Sequence, residues 1–519
     1  MGRDNTELYR TEKLKCALSR FSNAINQINI LAYKHVYFLS NGVLSRNPYI
    51  NKLLERFYKD SYPSSNGQGY LSVVAKLISC YVRSFAKLSL WLLQKFFFFL
   101  SGYRSSNLNT NASNLLLIDT YFVVSNLKKN DYRDKACLRG LDKTFEKHGK
   151  VYSYLPIFYG EKNPFKYISI FNAFKKNKVD YITDYELLNL VDVVKIIGFI
   201  ITYPFFVMRL ARSLDVADKD MTLIKDELLL TINQITWDSY ARYLVGRRVG
   251  EKITRAKLIS WCEYQSIQKN LYKGLRDTNK SIKIFGCQFF LRFGDWVNID
   301  IPDSEIDLGL APDRVLVSGR AAINNKSRVP YELGTSLRNK QIFQLENKCP
   351  CGESELSPII LLSYLECESK RLLQLIGGSE FRHEKLYVKA HPALNLAPLK
   401  SFIHNNWVVV EGDLYDSLQN ANLVIVTASG TAAEAVAIGK SVIIIGDPNG
   451  ITTNPLLNLG KGIIWDFAST VQEVTSIAVK LLEIRLANIE EIYVLAEKYK
   501  SLLFSDATED EILTMFGLQ

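Results

Sequence analysis

The chain has 519 residues, of which 47% are hydrophobic and 23% are charged. These fractions are ordinary for a globular protein, so they exclude a disordered or low-complexity chain, and the length favours two domains over one. The net charge of +11 and the pI of about 9.0 favour an anionic partner, such as a phosphate-rich ligand, a nucleic acid or an acidic membrane surface.

The cysteines and the start of the chain indicate the compartment. The eight cysteines are scattered, and the close pair Cys349 and Cys351 lacks the spacing and the partner pair of a zinc site. Residues 1–5 are polar, and no apolar run of a signal peptide follows them. We therefore predict a cytoplasmic protein with reduced cysteines and without a metal site.

Residues 1–110 are predicted to form a helical N-terminal extension, with a turn-rich break at 62–69 and a polar linker at 105–114. Two apolar segments, 88–100 and 196–210, fall short of the roughly 18 to 20 unbroken apolar residues of a membrane span. Their aromatic residues are flanked by Lys and Arg, which is typical of a segment that lies on a membrane. A position in the protein core explains them equally well, and both interpretations stay open.

Two α/β domains are predicted after the extension, over 111–338 and 339–519. In the first, buried parallel strands are expected at 115–120, 151–155, 281–285 and 314–317. In the second, strands at 358–363, 385–389, 407–410, 423–426 and 441–445 alternate with helices at 366–376, 415–421 and 432–438, and a helix at 471–499 closes the domain. Such alternation predicts parallel sheets, which bind ligands at the carboxyl ends of their strands, so the cleft between the domains is the expected site.

A hydroxyl-rich loop follows the predicted strand 423–426 and contains Ser429, Gly430 and Thr431. The hydroxyls, the small glycine and the start of the next helix suit a phosphate group. Glu434, about one turn further, can accept hydrogen bonds from ribose hydroxyls. The alternative is that Ser429 or Thr431 only caps the helix and that Glu434 is its capping-box partner.

The predicted strand 385–389 leads directly to His391 and Pro392. Pro392 keeps His391 extended, and the imidazole can donate to a phosphate oxygen and steady a departing nucleotide. A lone histidine at a strand end is more often a polar loop residue. The hydroxyl-rich loop in the same sheet favours the binding role.

Together, 389–392 and 427–431, with Glu434 following, resemble the donor-binding half of GT-B glycosyltransferases. The likeness is closest to bacterial enzymes that use CMP-activated acidic sugars, namely the Kdo transferases of capsule and O-antigen synthesis and the GT-B sialyltransferases. It covers about 385–450 well, and the Asp-Gly motif that supplies the base in GT-B sialyltransferases is not found. The implied fold class is α/β of the GT-B type, with two Rossmann-like domains whose parallel sheets face a cleft.

The same resemblance implies roles for individual residues. The His391 and Pro392 motif would contact the donor phosphate, Ser429, Gly430 and Thr431 would bind phosphate or ribose, and Glu434 would bind the ribose.

Three residues are the candidates for catalysis. Glu263, after an apolar run, is expected to deprotonate the acceptor hydroxyl or to act as a nucleophile, and Asp119, at the expected end of the first strand, is the second acid. His391 would serve mainly the donor. For Glu263 and Asp119 the alternative is a solvated loop carboxylate or a helix cap.

The predicted function is transfer of a sugar from a nucleotide-activated donor, first of all a CMP-linked acidic sugar such as Kdo, to a bacterial surface polysaccharide or lipopolysaccharide. The acceptor would be a glycan or glycolipid, and the protein would bind peripherally to the inner face of the cytoplasmic membrane, with no cofactor besides the donor. Open alternatives are a UDP-sugar or CDP-glycerol transferase, a non-hydrolysing UDP-sugar epimerase and a catalytically inactive envelope scaffold. Nucleic-acid binding is disfavoured because the basic residues are dispersed and no recognition motif occurs.

Overall fold

The structure is a computed structural model that describes residues 2–32, 35–47, 51–61, 70–108, 115–123, 132–161, 163–177, 179–215, 217–345, 357–427, 429–447 and 449–518. Three helices form the N-terminal extension: α1 (Gly2–Ala32), α2 (Asn51–Lys59) and α3 (Tyr70–Ser101). The predicted break at 62–69 and most of the predicted linker at 105–114 lie outside the described residues.

The first sheet contains β1 (Leu115–Val123), β2 (Tyr152–Tyr159), β3 (Asp180–Tyr181), β4 (Ala256–Trp261), β5 (Lys283–Gln288), β6 (Arg314–Val317) and β7 (Tyr331–Leu333). Its strands follow the order β3-β2-β1-β4-β5-β6-β7, and every neighbouring pair is parallel. The accompanying helices are α4 (Leu141–Lys147), α5 (Lys166–Lys176), α6 (Asp184–Leu187), α7 (Leu190–Ser213), α8 (Lys219–Thr231), α9 (Trp237–Lys252), α10 (Ser266–Thr278) and α11 (Asp303–Asp307).

The second sheet contains β8 (Ile359–Leu361), β9 (Tyr387–Lys389), β10 (Val408–Val409), β11 (Leu423–Val426), β12 (Ser441–Ile445) and β13 (Trp465–Ala468), in the order β10-β9-β8-β11-β12-β13. All its neighbouring pairs are parallel. Its helices are α12 (Gln341–Gln344), α13 (Glu366–Gly377), α14 (Leu414–Gln419), α15 (Thr431–Ala437), α16 (Val471–Ala487) and α17 (Ile489–Leu503), and α18 (Glu509–Met515) follows. The predicted α/β class, with two Rossmann-like parallel sheets and a helical N-terminal extension, is confirmed.

Burial on both faces explains why the strands of the second sheet are apolar throughout. In β11, Val424 and Val426 pack with α15 and α17, whereas Leu423 and Ile425 pack with α13 and α16. Side chains alternate along a strand, so each face of the sheet receives every second residue and both must be hydrophobic.

Residues 507–518 return from the second sheet to the core of the first. The ring of Phe516 lies 6.1 Å from that of Phe145 and 5.4 Å from that of Phe285. The two segments in which the chain passes from one sheet to the other contact each other. Ser336 N donates to Ser505 O at 2.8 Å, and Ser505 N donates to Ser336 Oγ at 3.1 Å. The domain boundaries at 110 and 338 stay a prediction.

Two glycines let α9 and α10 approach closely beside the first sheet. A Cβ atom at Gly274 would collide with the carbonyl oxygen of Tyr243, and one at Gly246 would collide with that of Leu271. The reciprocal contact fixes the position of α10, which begins just after Glu263.

Some element boundaries differ from those predicted. The short edge strands β3 and β7 have two and three residues, too few for a periodic signal, and β13 mixes polar with apolar residues. The single helix predicted at 471–499 is wrong, because Asn488, with φ −145° and ψ 57°, separates α16 from α17.

The two apolar segments of the sequence lie in α3 and α7. Within the described residues, α7 is the one helix long and apolar enough to cross a membrane by length and composition, and 44% of its most apolar 18-residue window is buried. Phe199, Tyr203 and Val207 of α7 pack into the core of the first domain.

Candidate functional site

Three neighbouring strands of the second sheet bring His391, Tyr364 and Ser429 to one edge. β8 lies between β9 and β11, and the three residues follow β9, β8 and β11 respectively. Parallel strands end at the same edge, so His391 and the hydroxyl-rich loop belong to the same side of the cleft. The ring of Tyr364 lies 5.8 Å from that of His391.

The His391 imidazole is exposed and held in one tautomer by its own turn. Ala393 N donates to His391 Nδ1 at 3.1 Å, and Pro392 lies between them in the turn. Desolvation, and next the charge of Arg338, lower the pKa of His391, so the ring is neutral at neutral pH. Because Nδ1 accepts, Nε2 carries the proton and can donate to a ligand oxygen.

Ser429 and Thr431 form a small hydroxyl cluster at the start of α15. Thr431 N donates to Ser429 Oγ at 3.2 Å, and Ser429 Oγ donates to Thr431 Oγ1 at 3.2 Å. A Cβ at Gly430 would lie 3.4 Å from Leu291 Cδ1, so a loop of the first domain covers this glycine. α15 has only seven residues, so its dipole is small. An anion at this position would therefore be bound mainly by side chains.

Glu434 lies one turn into α15 and already has protein partners. Tyr415 donates its hydroxyl to Glu434 Oε2 at 2.6 Å. Desolvation raises the pKa of Glu434, against the hydrogen bond from Tyr415 and the charge of Arg338. A ribose at Glu434 would share this carboxylate with Tyr415.

Arg338 interacts with residues of both domains, and no sequence pattern singled it out. Its guanidinium lies 5.6 Å from the centroid of the Trp261 ring in the first domain. In the second domain, desolvation and next the charge of Arg338 lower the pKa of His391, and the same charge opposes the desolvation that raises the pKa of Glu434. The side chain is exposed, so the cation can contact a ligand. Its place at the predicted boundary between 338 and 339 was the available signal.

Glu263 follows β4 on the opposite side of the cleft. Trp261 Nε1 donates to Glu263 Oε1 at 3.0 Å, Gln265 Nε2 donates to Oε2, and Asn298 Nδ2 donates to the main-chain oxygen. The next residue, Tyr264, has φ 53°, a left-handed conformation that is strained for a bulky side chain. The carboxylate is therefore held in one orientation by its neighbours.

A buried ion network supports this strained turn. The Lys269 ammonium lies 4.4 Å from the Tyr264 ring centroid and 3.0 Å from Glu305 Oε2, and Arg46 reaches Glu305 Oε1 at 3.1 Å. Desolvation lowers the pKa of Lys269 to about 7, although Glu305 acts in the opposite direction. Lys269 and Glu305 are fully buried, so the network supports the turn through direct contacts between protein groups that are shielded from solvent.

Asp119 is not brought to the cleft. β1 continues to Val123, so Asp119 lies inside the strand and not at its end as the sequence analysis expected. The carboxylate is buried, receives a hydrogen bond from Ser260 Oγ at 2.6 Å and pairs with Arg242. Desolvation raises its pKa, against the charge of Arg242.

Asp295 is a second residue that the sequence did not single out. It follows β5 in a first-domain loop, and Thr453 of the second domain donates to its Oδ2 at 2.8 Å. The side chain is 3% exposed, and Oδ1 has no hydrogen-bond partner among the described residues. Desolvation raises the pKa of Asp295, against the bond from Thr453. This contact joins loops at the carboxyl ends of β5 and β12, so the two sheets face each other across the cleft.

Among the described residues, no group of three or more His, Cys, Asp or Glu side chains is arranged to hold a metal ion. A cavity of about 360 Å³ lies away from the strand ends discussed above, lined by residues that include His35, Lys273 and Asp277. Lys273 and Asp277 belong to the carboxyl-terminal half of α10, far along this helix from Glu263.

No protein-family model and no curated protein matches the sequence. Solved structures that are similar to the chain include MurG of Acinetobacter baumannii, with 11% identity, a TM-score of 0.40 and coverage of 78% of this chain and 100% of that one. The S. aureus MnaA–UDP co-structure has 11% identity, a TM-score of 0.42 and coverage of 78% and 98%. The structure of UDP-GlcNAc 2-epimerase from Neisseria meningitidis bound to UDP-GlcNAc has 12% identity and a TM-score of 0.40. The match covers 78% of this chain and 99% of that one. At these values the likeness carries no argument about activity, which rests below on the residues of the cleft.

Proposed function

We propose that this protein is a glycosyltransferase that moves a sugar from a nucleotide-activated donor to an acceptor hydroxyl in the cleft. The observation that carries the proposal is the position of Arg338, whose charge acts on His391 and Glu434 while its guanidinium lies over Trp261. An exposed cation therefore lies between a neutral imidazole on one sheet and the carboxylate of Glu263 on the other.

The donor phosphate is bound by Arg338, by Nε2–H of His391 and by the hydroxyls of Ser429 and Thr431. These groups donate hydrogen bonds or carry positive charge, so they stabilise the negative charge that grows on the leaving phosphate. His391 follows β9, and Ser429 and Thr431 follow β11 of the same parallel sheet, so these three residues lie at one sheet edge, which supports the assignment.

Glu263 acts as the general base. As the acceptor oxygen forms its bond to the anomeric carbon, Glu263 takes the hydroxyl proton, and the bond between that carbon and the phosphate oxygen breaks, its electron pair remaining on the phosphate. Each carboxylate oxygen has a second lone pair besides the one used by Trp261 or Gln265, so the base is available while it is held.

The donor is first of all a CMP-linked acidic sugar such as Kdo, and the acceptor is a bacterial surface glycan or glycolipid. The support is the likeness of 389–392 and 427–431 to CMP-sugar enzymes. A UDP-sugar or CDP-glycerol donor, UDP-sugar epimerisation and an inactive scaffold are the alternatives that the experiment separates. We also propose that the reaction takes place at the inner face of the cytoplasmic membrane, and the exposed apolar residues of α3 and α7 support contact with a membrane surface.

The test is thermal unfolding of the purified protein with CMP, UDP and CDP, followed by mass spectrometry of reactions with the corresponding sugar or glycerol conjugates. A nucleotide at 100 times its Kd stabilises by about 2.7 kcal/mol. We expect CMP to stabilise most, and His391→Ala to reduce the shift while His383→Ala, which changes another exposed histidine, retains it.

Four results would contradict parts of the proposal. Absence of stabilisation by every nucleotide would remove the donor site, and an unchanged shift in His391→Ala would remove His391 from it. Isomerisation of a UDP-sugar without transfer would assign the epimerase activity. Binding without turnover of any conjugate would assign the scaffold.

A further inference from the structure

Helices α3 and α7 lie side by side and antiparallel. Tyr81 donates its hydroxyl to Ile201 O at 3.0 Å, and Lys95 Nζ donates to Leu188 O at 2.7 Å. Residues early in α3 therefore meet the middle of α7, whereas later residues of α3 meet the segment just before α7. The two helices, α3 from the N-terminal extension and α7 from the first domain, therefore form one common face.

This side exposes large apolar residues at helical spacing. On α3, Val82, Phe85, Phe96 and Leu100 recur at intervals that keep them on one face, and on α7 Leu190 and Val194 do the same. The exposed fractions are high, with 54% for Phe96, 79% for Leu190 and 67% for Val194. Several large apolar residues exposed on the same helix faces indicate an interaction site.

The charged groups of the two helices are almost all positive. α3 contains no Asp or Glu, and the one acid of α7, Asp192, is buried and accepts from Arg248 Nε at 2.8 Å. Exposed Arg209 and Arg212 lie at the end of α7, and exposed Arg104 follows α3 with its guanidinium 5.8 Å from the Phe99 ring centroid. Two copies of such a face would repel each other, whereas an anionic surface would attract it.

We propose that the α3–α7 face binds the surface of an anionic lipid bilayer, with its exposed apolar side chains in the interface and its arginines on the lipid headgroups. The helices lie on the bilayer and do not cross it. The opposite face of α7 packs Phe199, Tyr203 and Val207 into the first-domain core, and a span would expose these residues and break the Asp192–Arg248 pair. The proposal does not depend on the transferase activity.

The test is flotation of the full-length protein with vesicles of phosphatidylcholine and phosphatidylglycerol in equal amounts, compared with phosphatidylcholine alone. We expect binding to the anionic vesicles at low salt and weaker binding at high salt, because salt screens the charges. Arg209→Gln and Arg212→Gln should each lower the partition coefficient about five-fold, since a basic residue near such a surface contributes about 1 kcal/mol.

The apolar part is tested with the variant Phe96→Ser/Leu190→Ser, which should lose at least about ten-fold in partitioning, given about 1.5–3 kcal/mol for each large apolar side chain fully buried. The matched control is Leu486→Ser/Val494→Ser, which removes two exposed apolar residues from the second domain and should bind normally. Circular dichroism and thermal unfolding confirm that the variants are folded. Three results would overturn the proposal. The first is unchanged vesicle binding of Phe96→Ser/Leu190→Ser, and the second is equal binding of the wild type to neutral and anionic vesicles. The third is a wild-type dimer that becomes a monomer in this variant while vesicle binding stays the same.

Discussion

The guanidinium of Arg338 lies over the indole of Trp261, 5.6 Å from the ring centroid, while the N–H of the same indole donates to Glu263 at 3.0 Å. Trp261 is 2% exposed, so it cannot change position without repacking the first domain. One rigid side chain therefore orients both the cation proposed to bind the donor and the carboxylate proposed to activate the acceptor.

Arg338→Gln is expected to weaken nucleotide binding about 10- to 100-fold, because a hydrogen bond to a charged group contributes about 1.5–3 kcal/mol. The pKa of His391 should rise in the variant, since Arg338 lowers it in the wild type. Calorimetry measures the affinity, and an NMR titration follows the His391 ring. Arg382→Gln is the control, because it removes another exposed arginine, one that contacts a different histidine, with its Nε 2.8 Å from His383. An unchanged pKa of His391 would show that Arg338 does not act on the imidazole.

Glu263→Gln should lower kcat about 10²- to 10⁴-fold, the usual contribution of general-base assistance, while nucleotide affinity stays nearly unchanged. Glutamine can still accept from Trp261 but cannot take the proton. Glu384→Gln changes an exposed carboxylate elsewhere and should leave turnover intact. Near wild-type turnover in Glu263→Gln would move the base to another residue.

Asp295→Asn should raise the melting temperature at neutral pH, since asparagine keeps an acceptor for Thr453 and removes a buried charge. Burial raises the pKa of Asp295 in the folded state, so the folded protein binds the extra proton between the unfolded pKa and this raised value. The contribution of Asp295 to the free energy of unfolding of the wild type therefore falls as the pH rises through that window. The stability advantage of the variant grows over the same range and is constant at higher pH. Melting curves between pH 4 and 8 provide the measurement. Exposed Asp506 is the control, because Asp506→Asn should show no such trend.

Lys269→Met is expected to cost about 3–5 kcal/mol, because methionine cannot donate a hydrogen bond to the buried Glu305 as the lysine Nζ does at 3.1 Å. Urea unfolding measures the loss, and Lys269→Met/Glu305→Gln should recover part of it by removing the second charge. Burial lowers the pKa of Lys269 to about 7, whereas an unfolded lysine titrates near ~10.4. Wild-type stability from this group therefore rises with pH between these values, and the variant should lose that slope. A destabilisation below about 1 kcal/mol would contradict a supporting role for the network.

The sequence predicts the sheets where burial on both faces forces an unbroken apolar run. β11 and β12 are of this kind, and both begin and end at the predicted residues. β3 and β7 are too short for such a signal, and they form because neighbouring strands offer them hydrogen bonds. The grouping of His391 with Ser429 was predictable as well, since both follow parallel strands of one sheet.

The rest of the site depends on contacts between distant parts of the chain. Arg338 and Asp295 gain their importance from Trp261, His391 and Thr453, which are brought to them by the packing of one domain on the other. Asp119 fails to reach the cleft for the same kind of reason, because its partner Arg242 lies 123 residues away in the sequence and holds it inside β1. Local patterns carry no information about such pairs.

The return of residues 507–518 to the first domain has a consequence for synthesis on the ribosome. Phe516 packs against Phe145 and Phe285, yet it is translated after every strand of both sheets. A nascent chain halted before residue 507 would carry a complete second sheet beside a first domain whose core is still open, so the domain that starts first is finished last. Protease protection of α4 and β5 should accordingly appear only after α18 has emerged from the exit tunnel.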